Sequence, residues 1–213
     1  MGERAALFDF DGTICPGDSI LPWLDFCVRE GMAPLSQWAW AGGWYLAQRI
    51  RPDLILRAKE KTLSFIKGRR QKDLDEAAQR FFIERVKPRL YPGALAEIRR
   101  LREEGWRIVV ISASAEVYMR SLLTVLPADL ILATECEIDT DGRYTGHLGV
   151  NCKGAEKVRR WRKAAAELQW DAVRAYGDSV SDADMLRFCA EPVWVNASAR
   201  ARRMLPDAQT VRW

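Results

Sequence analysis

Histidine is almost missing from this chain: 213 residues contain one, His147. A single imidazole in a polar, turn-rich stretch excludes zinc hydrolysis that needs several histidines, and it excludes a Ser-His-Asp nucleophile. No G-x-x-x-x-G-K-[ST] segment occurs, so the P-loop nucleotide-binding class is excluded as well. The five cysteines, Cys15, Cys27, Cys136, Cys152 and Cys189, include no C-x-x-C pair and are odd in number. They form no disulfide framework, and a cytoplasmic location is expected. Met1-Gly2-Glu3-Arg4 runs straight into an apolar stretch without a signal core, and Ala6 stands where a myristoylation motif requires Ser or Thr. Excess charge is scarce too. The 33 basic and 29 acidic residues leave +4, which argues against a dedicated nucleic-acid binder.

What the chain does have is enough apolar residue, 48%, to bury a sizeable core, and four segments that carry chemistry. The apolar run 5–8 reads as a buried parallel strand and ends at Asp9-Phe10-Asp11-Gly12-Thr13. Two carboxylates two positions apart repel each other unless a cation or a proton lies between them, and Mg2+ is the natural partner. A second apolar run, 107–111, leads into Ser112-Ala113-Ser114-Ala115-Glu116, where hydroxyls meet a helix start suited to phosphate oxygens. Lys153 precedes Gly154 and an amphipathic helix expected over 155–168. Gly177-Asp178-Ser179-Val180-Ser181-Asp182 follows a further strand and supplies more oxygen ligands for Mg2+. Each segment alone has a plain structural alternative: an acidic turn, serine caps, or a solvated lysine.

Their order along the chain is more specific than any one of them, and it resembles the haloacid dehalogenase-like superfamily of phosphatases. Within that superfamily the chain looks most like the phosphoserine-phosphatase-like branch, subfamily IB. The segments I-S-A-S-A-E-V-Y, A-T-E-C-E-I-D-T-D-G-R-Y-T-G, N-C-K-G-A-E-K-V and P-V-W-V-N-A extend the likeness from Ala6 nearly to Trp213. The resemblance implies an enzyme that hydrolyses a small organic phosphomonoester through an aspartyl-phosphate, with Mg2+ as cofactor. Asp9 would be the nucleophile and Asp11 the general acid and base. Ser112 and Lys153 would hold phosphate oxygens. Asp9, the Asp11 backbone carbonyl and Asp178 would hold the metal, with Asp182 in support. The dehalogenases of this superfamily lack the second Asp of the first motif, so Asp11 points to phosphate esters.

Substrate residues implied by the same resemblance are Asp18, Lys61, Ala113 and Ser181. Here the chain departs from phosphoserine phosphatases. Asp18 replaces a Glu nine residues after the nucleophile, Lys61 replaces a cap Arg, Ser181 replaces Asn, and Gly12 replaces Ser. Lys is a poorer bidentate clamp for a carboxylate than Arg, and the four changes together argue against phosphoserine itself.

The expected architecture is α/β: a doubly wound parallel sheet with an inserted helical cap. Core strands are expected at 5–9, 107–112, 130–133, 173–177 and 193–196, a hairpin turn at 139–143, and a helix over 92–105 ended by glycine. The catalytic core would comprise 1–14 and 91–213, and the cap 15–90. Residues 31–48 carry no charge and hold Trp38, Trp40 and Trp44. Pro34, Ser36, Gln37, Gly42, Gly43 and Gln48, with a length only at the ~18-residue threshold, argue for cap core or pocket wall over a membrane span. The alternatives kept open are a phosphatase of phospholipid-like monoesters at a membrane surface and a non-enzymatic phosphate-sensing or interaction module. Oligomeric state stays open too.

Overall fold

The computed structural model describes residues 3–39, 41–42 and 54–213. Six parallel strands form the main sheet, in the order β3-β2-β1-β6-β7-β8. They are β1 (Glu3–Phe8), β2 (Arg107–Ala115), β3 (Leu130–Thr134), β6 (Trp170–Gly177), β7 (Glu191–Val195) and β8 (Gln209–Val211). Residues 5–8 of β1 and 108–112 of β2 are buried without interruption, as strands covered by helices on both faces require. Edge strand β8 is short and polar, Gln-Thr-Val, and escapes a search for apolar runs.

The chain builds outward from β1 through β2 to β3, then resumes on the other side with β6, β7 and β8. The winding therefore reverses between β1 and β6. Such a switch point opens a crevice at the carboxyl ends of the strands. Phe8 is in register with Tyr176, and the Asp9 amide donates to the Tyr176 carbonyl at 2.9 Å, so the residues after both strands emerge side by side.

Helices follow in chain order: α1 (Ile20–Arg29), α2 (Ile55–Thr62), α3 (Gln71–Phe81), α4 (Pro92–Glu103), α5 (Glu116–Met119), α6 (Ala155–Leu168), α7 (Ala183–Phe188) and α8 (Ala199–Arg202). Pro92 opens α4, where its missing N–H costs nothing, and Gly105 at φ 79° takes the left-handed turn that ends it. Helix α6 spans the expected residues.

Among the described residues, the chain between β1 and β2 is mostly helical, and its buried apolar side chains join those of the sheet in one core. Trp23 of α1 lies 5.3 Å from Phe81 and 5.5 Å from Tyr118, and Phe82 lies 6.1 Å from Phe10 in the loop after β1 (ring centroids). Removing a fully buried ring such as Trp23 costs about 3–5 kcal/mol. Trp38 is partly buried against this cluster; Trp40 and Trp44 lie outside the described residues. No helix among the described residues is long and apolar enough to cross a membrane.

A separate antiparallel hairpin, β4 (Cys136–Ile138) with β5 (Tyr144–Leu148), turns where expected, with Asp139 Oδ1 accepting the amides of Asp141 and Arg143 at 2.9 Å each. It reaches into the helical insertion. Tyr144 exchanges backbone bonds with Gly68 (2.8 Å) and Arg69 (3.0 Å), and the Arg143 guanidinium donates to the Gly68 carbonyl at 2.7 Å.

Candidate active site

The crevice at the switch point is a cavity of about 600 Å³. The ends of β1 and β6 bring Asp9, Asp178 and Asp182 together, with one carboxylate oxygen of each within 4.8 Å of the others. Two glycines make this approach possible. A Cβ on Gly12, at φ 87°, would stand 2.3 Å from Asp178 Oδ2, and one on Gly177 would stand 2.5 Å from the Asp182 Cβ.

Lys157 supplies the cation of the cluster. Its ammonium, 1% exposed, donates to Asp9 Oδ1 at 2.5 Å and to Asp182 Oδ1 at 2.7 Å. Asp182 Oδ2 accepts the Ser179 amide at 3.0 Å and hydroxyl at 2.8 Å, so both of its oxygens are engaged. Thr13 donates to Asp9 Oδ2 at 3.3 Å, and the Thr13 carbonyl in turn accepts the Trp213 indole N–H at 2.8 Å.

One ammonium set against three carboxylates leaves the cluster short of positive charge. Burial, then Asp182, push the Asp9 carboxyl up, with Lys157 opposing. Burial and Asp182 likewise raise Asp178 to about 7. Burial disfavours the Lys157 ammonium, yet Asp182 and Asp9 outweigh it and hold the proton more firmly than usual. All-oxygen donors, crowded and under-neutralised, fit a hard divalent cation such as Mg2+.

Asp11 faces the same cavity and is also raised, to about 6, by burial and by Asp18, against hydrogen bonds from Ser114 and Ser19. The Ser114 hydroxyl donates to Asp11 Oδ2, and the Ser19 amide donates to Oδ1 at 2.8 Å. Ser112 lies beneath, 1% exposed, its Oγ accepting the Ser114 amide at 3.0 Å. The Ala113 carbonyl lines the cavity and accepts from Thr134 at 2.7 Å and from Lys59 at 2.6 Å. Ser181 lines it as well, its hydroxyl 2.7 Å from that of Ser179. Asp18 sits exposed at the rim, where Oδ1 accepts the Ile20 amide at 2.9 Å at the start of α1.

Of the two expected lysines, Lys153 lines the cavity and Lys61 does not. Lys153 is exposed at the cavity rim, and the lysine that meets Asp9 is Lys157, one turn further on. Lys157 shares a row with Trp161 four residues on, itself buried, and so lies on the inward face of α6. Lys61 does not reach the cavity. It is exposed and lines a small separate cleft with Glu60, Lys67 and His147. Two residues on a helix turn by about 200°, so the cation on the inward face of α2 is Lys59. Its ammonium donates to the Ala113 carbonyl and, at 2.8 Å, to Asn151 Oδ1; burial lowers it to about 8.

The haloacid dehalogenase-like hydrolase family matches this chain over residues 6–187, a span that contains every residue of the cluster. The chain belongs to that family. Among its relatives, protein CicA of Caulobacter vibrioides (strain NA1000 / CB15N) is 33% identical over 205 residues, covering 90% of this chain and 86% of that one. A histidinol-phosphatase of Neisseria meningitidis serogroup C (strain 8013) is 25% identical and covers 94% of each. The fold matches a protein of unknown function from Bordetella pertussis Tohama I with a TM-score of 0.87, 24% identity and 99% coverage of both chains. It also matches a phosphoserine phosphatase solved as a phospho-aspartyl intermediate analogue, with a TM-score of 0.61, 20% identity, and 99% and 93% coverage. The protein is thus an enzyme of the phosphatase branch, built as an α/β core with a helical insertion.

Proposed function

We propose that this enzyme is a Mg2+-dependent phosphatase of small organic phosphomonoesters that works through an aspartyl-phosphate on Asp9. The observation that carries the reading is the meeting of Asp9, Asp178, Asp182 and Lys157 at the switch point, in one cavity with Asp11.

Asp9 and Asp178, with the Asp11 backbone carbonyl, would hold Mg2+, which when bound offsets the repulsion between carboxylate nucleophile and phosphate. Asp182, saturated by Ser179 and Lys157, supports this set from beside it. Asp9 attacks phosphorus, and the bond to the ester oxygen breaks. Asp11 gives that oxygen its proton, then takes one from the water that hydrolyses the aspartyl-phosphate. Lys157, at Asp9, is placed to hold phosphate oxygens where charge builds up, and Lys153 and the Ser112 segment support the rest of the group.

The leaving group occupies the part of the cavity walled by Ile20, Ile55, Ala58 and Thr62, with Lys59 and Asp18 as its charged contacts. We take residues 15–90 as the cap that sets this wall, and 1–14 with 91–213 as the catalytic core. Five buried, unpaired cysteines suit a cytoplasmic location.

Asp9→Asn should abolish Mg2+-dependent release of phosphate from p-nitrophenyl phosphate, and unchanged turnover would refute the mechanism. A screen of amino-acid, amino-alcohol, sugar, nucleotide and lipid monoesters identifies the leaving group.

A further inference from the structure

Both oxygens of Asp11 are held, and the proton count fixes which way each bond in its surroundings runs. Ser114 has a single hydroxyl proton, and it goes to Asp11 Oδ2. The 3.1 Å contact between the Ser19 and Ser114 hydroxyls must therefore be donated by Ser19. Ser19 has then used its own proton. The 3.2 Å contact between Ser19 and Tyr118 is accordingly donated by the phenol. Donors run one way, from Tyr118 through Ser19 and Ser114 to Asp11, while the Ser19 amide secures the other carboxylate oxygen.

Tyr118 is fully buried, its ring packed against Trp23 and Phe81. Phenylalanine would fill that apolar space equally well, so the hydroxyl, which must find a partner once buried, needs another reason to be there. Ser19 is the residue just before α1, so the relay joins the aromatic packing of the helical insertion to the carboxyl that faces the substrate.

We propose that Tyr118, Ser19 and Ser114 are positioning residues that hold the Asp11 carboxyl at the angle from which it protonates the departing ester oxygen. The proposal rests on the phosphatase reading above. A general acid must lie within about 2.6–3.2 Å of the atom it serves, and a lapse of about 0.5 Å in such a site is already costly. An aspartate side chain turns about two bonds, and one hydrogen bond to each oxygen fixes both rotations. Each oxygen keeps a second lone pair, so the clamp leaves room for the proton to be carried.

The test compares two substrates of the same shape, p-nitrophenyl phosphate, whose leaving group departs without help, and phenyl phosphate, whose poorer leaving group needs the acid. Ser114→Ala should lower kcat/KM for phenyl phosphate about tenfold more than for p-nitrophenyl phosphate, a share of the 10²–10⁴ that a placed acid supplies. Tyr118→Phe, which keeps the ring and its packing, should act in the same direction by a smaller factor. Equal losses on the two substrates, or no loss, in both variants would overturn the proposal. Should Ser114→Ala fail to fold by thermal melting, Tyr118→Phe decides alone. Failure of the underlying reading looks different: the unaltered enzyme would hydrolyse neither ester, or Asp11→Asn would depress both equally.

Discussion

Gly12 and Asp178 occupy each other's space: the carboxylate of Asp178 fills the volume that any side chain at residue 12 would take. Gly12→Ala must therefore displace Asp178 as well as strain a backbone at φ 87°, a cost on the order of 1–3 kcal/mol. The expected result is a folded protein whose activity is at least about tenfold lower and saturates at higher Mg2+, the equivalent of 1.4 kcal/mol or more at the site. A Mg2+ titration of phosphate release measures it, and an unchanged half-saturation would show that Asp178 is not a ligand.

Lys157 and Lys153 separate by what each leaves behind. Lys157→Met strands two buried carboxylates and should cost about 3–5 kcal/mol of stability along with nearly all activity. Lys153→Met removes an exposed rim charge and should leave the melting temperature within about a degree or two, since surface changes usually stay within 0.5 kcal/mol, while raising KM. Melting curves and kinetics on the two variants decide between them.

Mg2+ should raise the melting temperature of the unaltered protein, by the equivalent of about 2.7 kcal/mol at a hundredfold excess over Kd. Asp178→Asn removes one of three mutually repelling carboxylates. It should melt higher than the unaltered protein in chelator, lose activity, and show little further shift with Mg2+. A chelator-treated Asp178→Asn protein that melts lower would overturn this account of the cluster.

Lys59 gives a pH signature with a definite sign. Burial lowers its folded value to about 8 from the usual 10.5, so between those values the unfolded chain binds the proton and the folded chain does not. Stability relative to Lys59→Met should therefore rise as pH climbs from about 8 to 10.5. Binding runs the other way. At pH 9 only about a tenth of the side chain would stay charged, so KM for a monoester with an anionic leaving group should increase several-fold above pH 8, and Lys59→Met should flatten that dependence.

The strand ends that carry the carboxylates were legible because buried parallel strands are unbroken apolar runs, and the acidic residues begin where those runs stop. Asp9, Asp11 and Asp178 could be placed on that ground alone. The lysines were not, because a helix distributes neighbouring residues around its axis. K-G-A-E-K offers two candidates and R-A-K-E-K two more, and only the rotation of α6 and α2 against their neighbours selects Lys157 and Lys59. Ser19 and Tyr118 were invisible for a further reason. They lie 99 residues apart, in segments whose local patterns say only that one precedes a helix and the other packs in a core.

The backbone exchange between Tyr144 and residues 68–69 has a thermodynamic consequence. It stitches a hairpin that leaves the sheet to a segment inserted a long way earlier, so neither part can fray without taking amide bonds from the other. Heat should thus melt insertion and sheet in one cooperative step, with calorimetric and van't Hoff enthalpies in agreement.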